Sequence, residues 1–157
     1  MPVIADTVLA YLAGFLDGEG CIHLREKLTF SGADPKKKKY PGYYGAIRVT
    51  QNVRAPLELF QRYFGGGIRL KAHPGKDGRN WQHFEWECSM AQSGPMLAAL
   101  LPYLIVKADE ARAAIAFFRT FHSGRRLTAA MHSYRRGLIA QVKAAKSIGR
   151  IAEGKVA

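Results

Sequence analysis

The sequence predicts an α+β fold, read as helix, hairpin, helix, hairpin and then further helices. Three observations predict it. Hydrophobic spacing switches between helical and alternating periods in that order. The alternating segments carry one apolar side and one largely basic side. The 157 residues contain 24 Lys and Arg against 12 Asp and Glu, a formal charge of +12, with an ordinary hydrophobic content of 48%. That length and composition predict a single domain over residues 1–157, not a disordered basic tail.

The first helix is predicted from Ala5 to Asp17, where Leu9, Leu12, Ala13 and Leu16 recur at helical spacing. Asp6 is its expected N-cap, and Gly18 and Gly20 its expected stop. From Cys21 to Phe30 the chain alternates, with Ile22, Leu24, Leu28 and Phe30 on one side and His23, Arg25, Lys27 and Thr29 on the other; Glu26 interrupts the apolar side. Ser31 to Gly42, holding Pro35, Lys36 to Lys39 and Pro41, reads as a basic loop whose lysines clamp phosphate. The second strand, about Tyr43 to Asn52, places Tyr44, Ala46, Arg48 and Thr50 opposite Ile47, Val49 and Gln51, completing a hairpin over about 21–52.

A short helix from Pro56 to Phe64, with proline in its first turn, ends at Gly65–Gly67. A second hairpin, about 67–90, joins Ile68–Ala72 to Trp81–Ser89 through a turn-rich segment. It sets Arg69 and Lys71 opposite Ile68 and Leu70, and His83, Glu85 and Glu87 opposite Phe84, Trp86 and Cys88. Helices are expected at Pro95–Leu101, Asp109–Phe121 and about Leu127–Ile148, the last two making up the C-terminal helices of about 107–148. Helices covering one side of the sheet would leave its cationic side open to a polyanion.

The charge is concentrated. Between Ala111 and Ala152 there are nine basic residues and no acid: Arg112, Arg119, Arg125, Arg126, Arg135, Arg136, Lys143, Lys146 and Arg150. A one-signed surface of this kind suits phosphate contacts and counterion release, which points to nucleic acid. No apolar run has the roughly 20 residues of a membrane span, and residues 1–20 hold no Lys or Arg, so neither membrane insertion nor secretion is expected. Two cysteines, Cys21 and Cys88, form no disulfide framework and no metal-binding spacing, which fits a reduced intracellular compartment. His23 and His83 have no second ligand at metal spacing, so no zinc site is expected.

The most informative stretch ends the first helix: Leu12-Ala13-Gly14-Phe15-Leu16-Asp17-Gly18-Glu19-Gly20. Glycine inside a helix costs about 1 kcal/mol relative to alanine, a cost that close approach of a second helix would offset. A carboxylate beside a helix C-terminus is unfavourable until a divalent cation is shared between it and the exposed carbonyls.

This nonapeptide resembles the signature of the LAGLIDADG homing endonucleases, matching it at Leu12, Ala13, Gly14, Asp17 and Gly20. The family's element order, αββαββα with C-terminal helices, is similar to the order above and covers nearly the whole chain. The resemblance implies that the curved antiparallel sheet is a DNA-binding saddle. It makes Glu19 the metal-binding acid for Mg²⁺ or Mn²⁺, with the Gly18 carbonyl as an extra ligand. Glutamate in place of the family's aspartate moves that carboxylate out by one methylene. The resemblance also implies that Asp17 braces helix ends, that Gln51, closing the second strand, orders water, and that Lys107, after Pro102-Tyr103-Leu104, completes the catalytic set.

One motif alone implies a homodimer, with Leu12, Ala13, Gly14 and Asp17 at the contact and two Glu19 side chains over the scissile phosphates. It implies metal-dependent cutting of a long pseudo-palindromic duplex into cohesive ends, as in intron homing. The expected DNA contacts are His23, Arg25, Lys27, Thr29, Tyr44, Arg48, Arg69, Lys71, His83 and Glu85 on the sheet, with Arg54 after the second strand. Arginine to guanine and glutamate to cytosine are natural pairings in the major groove. The alternative is a relative of the same fold that acts as an RNA-splicing maturase or a non-cleaving DNA-binding regulator. Glu19, Gln51 and Lys107 discriminate, since a non-enzyme has no chemical use for all three.

Overall fold

Helix α1 (Asp6–Glu19) passes into strand β1 (Gly20–Phe30) with no loop between them. The computed structural model describes residues 3–30, 39–74, 80–121 and 127–148, and of Thr29, Phe30, Lys39, Asn80 and Ile148 the backbone alone. Of the residues expected in the basic loop, Lys36, Lys37 and Lys38 lie outside this range, as do Arg125, Arg126 and Arg150. The helix continues through Gly18, which was expected to stop it, because Leu12, Ala13 and Leu16 on its other side are fully buried and hold the turn in place. Gly20 ends it. A Cβ there would lie 2.3 Å from Leu16 Cδ1 and 2.5 Å from the Leu16 carbonyl, so a side chain would block the direct turn into the sheet. Asp6 is not the N-cap: Ala5 holds that position without a side-chain cap, and Asp6 bonds to the Tyr103 hydroxyl, raising the tyrosine's pKa.

Strands β2 (Lys39–Gln51), β3 (Gly67–Pro74) and β4 (Asn80–Cys88) complete an antiparallel sheet of order β1-β2-β4-β3. β2 starts earlier than expected, since residues 39–42 pair with 27–30. Pro41 is tolerated there because β4 pairs only with residues 47–51 of β2. Helix α2 (Ala55–Phe64) ends at Gly65 and Gly66, whose φ angles are +71° and +80°. A Cβ on Gly66 would also sit 2.4 Å from the Glu87 carbonyl, and Gly65 accepts a hydrogen bond from Trp86 Nε1 at 2.8 Å.

Helix α3 (Met90–Leu100) begins after Ser89 and contains Pro95 in its interior, where the sequence suggested a helix start. The Ser93 hydroxyl donates to the Ser89 carbonyl, so the first turn is closed ahead of the proline. A 3₁₀ turn (Leu101–Tyr103) leads to α4 (Ala108–Arg119), and α5 (Ala129–Ile148) follows.

The core is the apolar sheet face and the helices over it: Ile22, Ile47, Val49, Trp86, Phe60, Met96, Leu97 and Phe117 are all inaccessible to solvent. Leu28 and Leu70, expected on that face, are 56% and 58% exposed because the hairpins outrun the helices. α5 runs along the edge strand β1, with Arg136 bidentate on Glu26 and Lys146 donating to the Ile22 carbonyl at 2.5 Å, which protects an otherwise open edge.

The Arg136 hydrogen bond lowers the Glu26 pKa below its ordinary 4.5. A depressed carboxylate pKa contributes stability that is present above the ordinary value and lost as pH falls through the folded one. The melting temperatures of wild type and Glu26→Gln should therefore differ at neutral pH and converge in acid below the ordinary glutamate pKa. Equal melting temperatures at neutral pH would contradict this.

Candidate active site

The end of α1 points two carboxylates in different directions. Asp17 turns inward: its Oδ2 accepts from Ile105 N at 2.7 Å and Val106 N at 3.1 Å, and its Oδ1 from Lys107 N at 2.8 Å. One side chain thereby fixes the approach to α4. Glu19 is exposed, and among the described residues its carboxylate has no hydrogen-bond or ion-pair partner. It lines a cavity of about 460 Å³ with Thr50, Gln51, Trp81 and His83. Glu19 and Gln51, expected to act together, are together. Gln51 uses its carbonyl to accept from Asn52 N at 2.7 Å, which orients the side chain and leaves its NH₂ as a donor.

Lys107 occupies the N-cap of α4, and its ammonium donates to the Asp17 carbonyl. It reaches the last turn of α1 but opens on a neighbouring cavity with Gly20 and Cys21, so the three expected catalytic residues divide between two adjoining cavities.

Among the described residues no group of three His, Cys, Asp or Glu could hold a metal ion. Among the described residues the end of α1 offers one exposed carboxylate without a partner, Glu19, and the carbonyls that close the helix, Gly18 among them. That donor set fits Mg²⁺ or Mn²⁺, which binds through one or two carboxylates and takes its remaining ligands from water and phosphate.

Leu12 and Ala13, expected at a contact with a second copy, are fully buried in this chain's own core. Helical geometry puts the neighbouring Gly14 on the outer side, where a Cβ at Gly14 or Gly18 would meet nothing within 4 Å. Tyr11 is half exposed on the same side of α1, and Ile105 and Val106 are 87% and 68% exposed.

The strand register assembles the open sheet face. Arg25 pairs with Tyr44, His23 with Ala46, Arg48 with Glu87, Arg69 with Glu85 and Lys71 with His83. Nine of the expected contacts share this face, and the side chain of the tenth sheet residue, Thr29, lies outside the described residues. Arg54 does not share it. It occupies the N-cap position of α2, is held to Glu58 at 2.8 Å, and lies over the Phe84 ring 5.9 Å from its centroid, on the opposite side of β4 from His83 and Glu85.

The face is not uniformly basic. Glu87 accepts from Arg48 Nε at 2.7 Å and from the Tyr44 hydroxyl at 3.1 Å, and Glu85 lies 3.6 Å from Lys71. Burial and then the charges of Arg25 and Arg48 lower the His23 pKa, so this histidine is neutral at pH 7. His73 and His83 stack with centroids 5.1 Å apart. Glu87 was absent from the expected contacts although the alternation in β4 already placed it beside Glu85.

Arg135 leaves the set of phosphate-facing residues. It is 4% exposed, bonded to Thr120 through Nε and Nη2, and stacked 4.0 Å over the Phe121 ring.

The chain is similar in structure to solved homing endonucleases, among them I-CvuI, I-Vdi141I and I-SmaMI. I-CvuI in complex with its target matches with a TM-score of 0.59 and 20% identity, over 94% of this chain and 83% of that one. The archaeal intron-encoded homing endonuclease I-Vdi141I complexed with DNA gives a TM-score of 0.67 and 18% identity, over 89% of this chain and 84% of that one. The I-SmaMI LAGLIDADG homing endonuclease bound to cleaved DNA gives 0.61 and 19%, over 92% of this chain and 49% of that one. No family profile matches the sequence, and no curated protein matches it significantly.

Proposed function

From a chain with the fold of the LAGLIDADG homing endonucleases, we propose an intracellular, site-specific endonuclease that cuts double-stranded DNA as a metal-dependent homodimer. The observation that carries this reading is Glu19: an exposed carboxylate at the helix–sheet corner, without a partner among the described residues and sharing its cavity with Gln51 beside the open sheet face. A bare acid in that position opposes DNA binding, and a divalent cation reverses the opposition.

Glu19, with the Gly18 carbonyl, would hold Mg²⁺ or Mn²⁺, whose chemistry is to polarise the phosphate and acidify a bound water. Gln51, anchored through its carbonyl, directs its amide donors at the attacking water. Lys107 holds a positive charge at the same helix end, where it offsets negative charge developing on the phosphate. The sheet positions the duplex: Arg25, Lys27, Arg69 and Lys71 supply charge, and Arg48 with Glu87 forms a preset donor and acceptor for a G·C pair. A maturase or a DNA-binding regulator would need the sheet but would have no use for a free Glu19 beside Gln51.

One Glu19 per chain serves one strand, so cutting both strands into cohesive ends takes two copies. Gly14 and Gly18 leave the outer side of α1 open to close approach, with Tyr11, Ile105 and Val106 as exposed apolar surface. This chain spans 49% of the I-SmaMI chain, so two copies match that length. Sedimentation with a duplex that the protein selects from a random pool should give twice 17.4 kDa of protein per duplex, and Mg²⁺ should trigger cuts in both strands. One chain per duplex, or binding with no metal-dependent cut, would overturn the reading.

A further inference from the structure

The second cavity beside α1, of about 260 Å³ and open to solvent, is lined by Gly20, Cys21, Val106, Lys107, Glu110 and Lys146. Glu110 is only 6% exposed, and its Oε2 is buried without a hydrogen-bond partner. Lys146 Nζ is 3.9 Å away, close enough for Coulomb attraction and too far for a hydrogen bond. A carboxylate left this way is costly, and burial raises its pKa above the ordinary value, a rise that the charges of Lys146 and Lys107 reduce without cancelling. Such a group needs a purpose.

The cavity supplies one. Lys146, near the end of α5, donates to the Ile22 carbonyl and lies 3.5 Å from Cys21 Sγ, so its charge sits two and three residues after Glu19. Lys107, on the other wall, donates to the Asp17 carbonyl, two residues before Glu19. Two ammonium groups from different helices are thus gathered at the turn that carries the catalytic acid. Like charges in one cavity repel, and the Glu110 carboxylate lining the same cavity offsets that repulsion. Both lysines rest on neutral carbonyls, weaker acceptors than a phosphate oxygen, so both are ready to exchange partners.

We propose that Lys146 contacts the DNA backbone phosphate beside Glu19, and that Glu110 is the positioning residue that gathers Lys146 and Lys107 around it. This rests on the endonuclease reading and extends the site to α5, the helix farthest from the motif in sequence.

The test uses the duplexes that wild-type protein selects from a random pool. Metal-free salt titrations of affinity are paired with single-turnover cutting in Mg²⁺ and with thermal melting. Lys146→Met should lower the slope of log Kd against log salt by about 1 per subunit. It should also slow cutting by about tenfold or more, while Lys146→Arg keeps the slope and most of the rate. Glu110→Gln should keep the slope and slow cutting by about fivefold or more without a lower melting temperature. If wild type neither selects nor cuts a duplex, the endonuclease reading falls and this inference with it. If wild type cuts and Lys146→Met matches it in slope and rate, the inference alone is overturned. Glu110→Gln cutting at the wild-type rate, or slowing only in step with lost stability, overturns the positioning role.

Discussion

Glu19→Gln should lower metal-dependent cutting by about a thousandfold or more while leaving duplex affinity within a few-fold of wild type. The amide keeps the size and exposure of the side chain but removes the charge that would hold a divalent cation. Because Glu19 has no partner among the described residues, its loss leaves nothing in the fold unsatisfied, and melting should be unchanged. Removing negative charge at a surface that meets DNA should strengthen metal-free binding slightly. Cutting at a comparable rate by this variant would remove Glu19 from the chemistry and the endonuclease assignment with it. Glu19→Asp makes a useful companion, since it retracts the carboxylate by one methylene and so tests how closely the metal position is set.

Asp17 should behave in the opposite way, with a large effect on stability first and on cutting as a consequence. Its carboxylate accepts from three successive backbone N–H groups at 105–107, and its own carbonyl accepts from the Lys107 ammonium. Hydrogen bonds to a charged acceptor are worth more than neutral ones, although water can replace part of this set because Ile105 and Val106 are exposed. Asp17→Ala should cost about 2 kcal/mol and lower the melting temperature by about 4–8 °C. Asp17→Asn, which keeps one acceptor oxygen of the two, should fall between alanine and wild type. Both should slow cutting, because the segment leading into α4 carries Lys107. Asp17→Ala melting with wild type would show that the 105–107 segment is held by other contacts.

These two acids show how far sequence reading reached. Their positions two apart in a nonapeptide named both, and the resemblance implied that Asp17 braces helix ends while Glu19 binds metal, but neither said which segment Asp17 would hold. That depends on where the 105–107 segment returns, about ninety residues later. The four strands were legible because alternation is local, and their pairing followed from two hairpins. Gln51 was legible as a strand end. Lys107 was legible as a lysine at a helix start, though not as one in a separate cavity from Glu19.

The misreadings share a cause. Arg135 and Arg136 are adjacent in a run of basic residues, yet one is buried against Thr120 and Phe121 and the other is paired with Glu26. Ala13 and Gly14 look like one small pair, yet a helix turns about 100° per residue and puts them on different sides. Pro95 looks like a helix start, yet Ser89 begins the helix a turn and a half earlier.

The sequence by itself determined the element order, the two faces of the sheet, the net charge and the identity of the acid at the end of α1. Each depends on relations within a few residues, where periodicity and composition act directly. The tertiary structure decided which cations remain available to a polyanion, which side of α1 is open to a second copy, and that Glu110, Lys107 and Lys146 share one cavity. Those depend on packing between segments as much as 125 residues apart, where burial and not residue type sets the role of a charge.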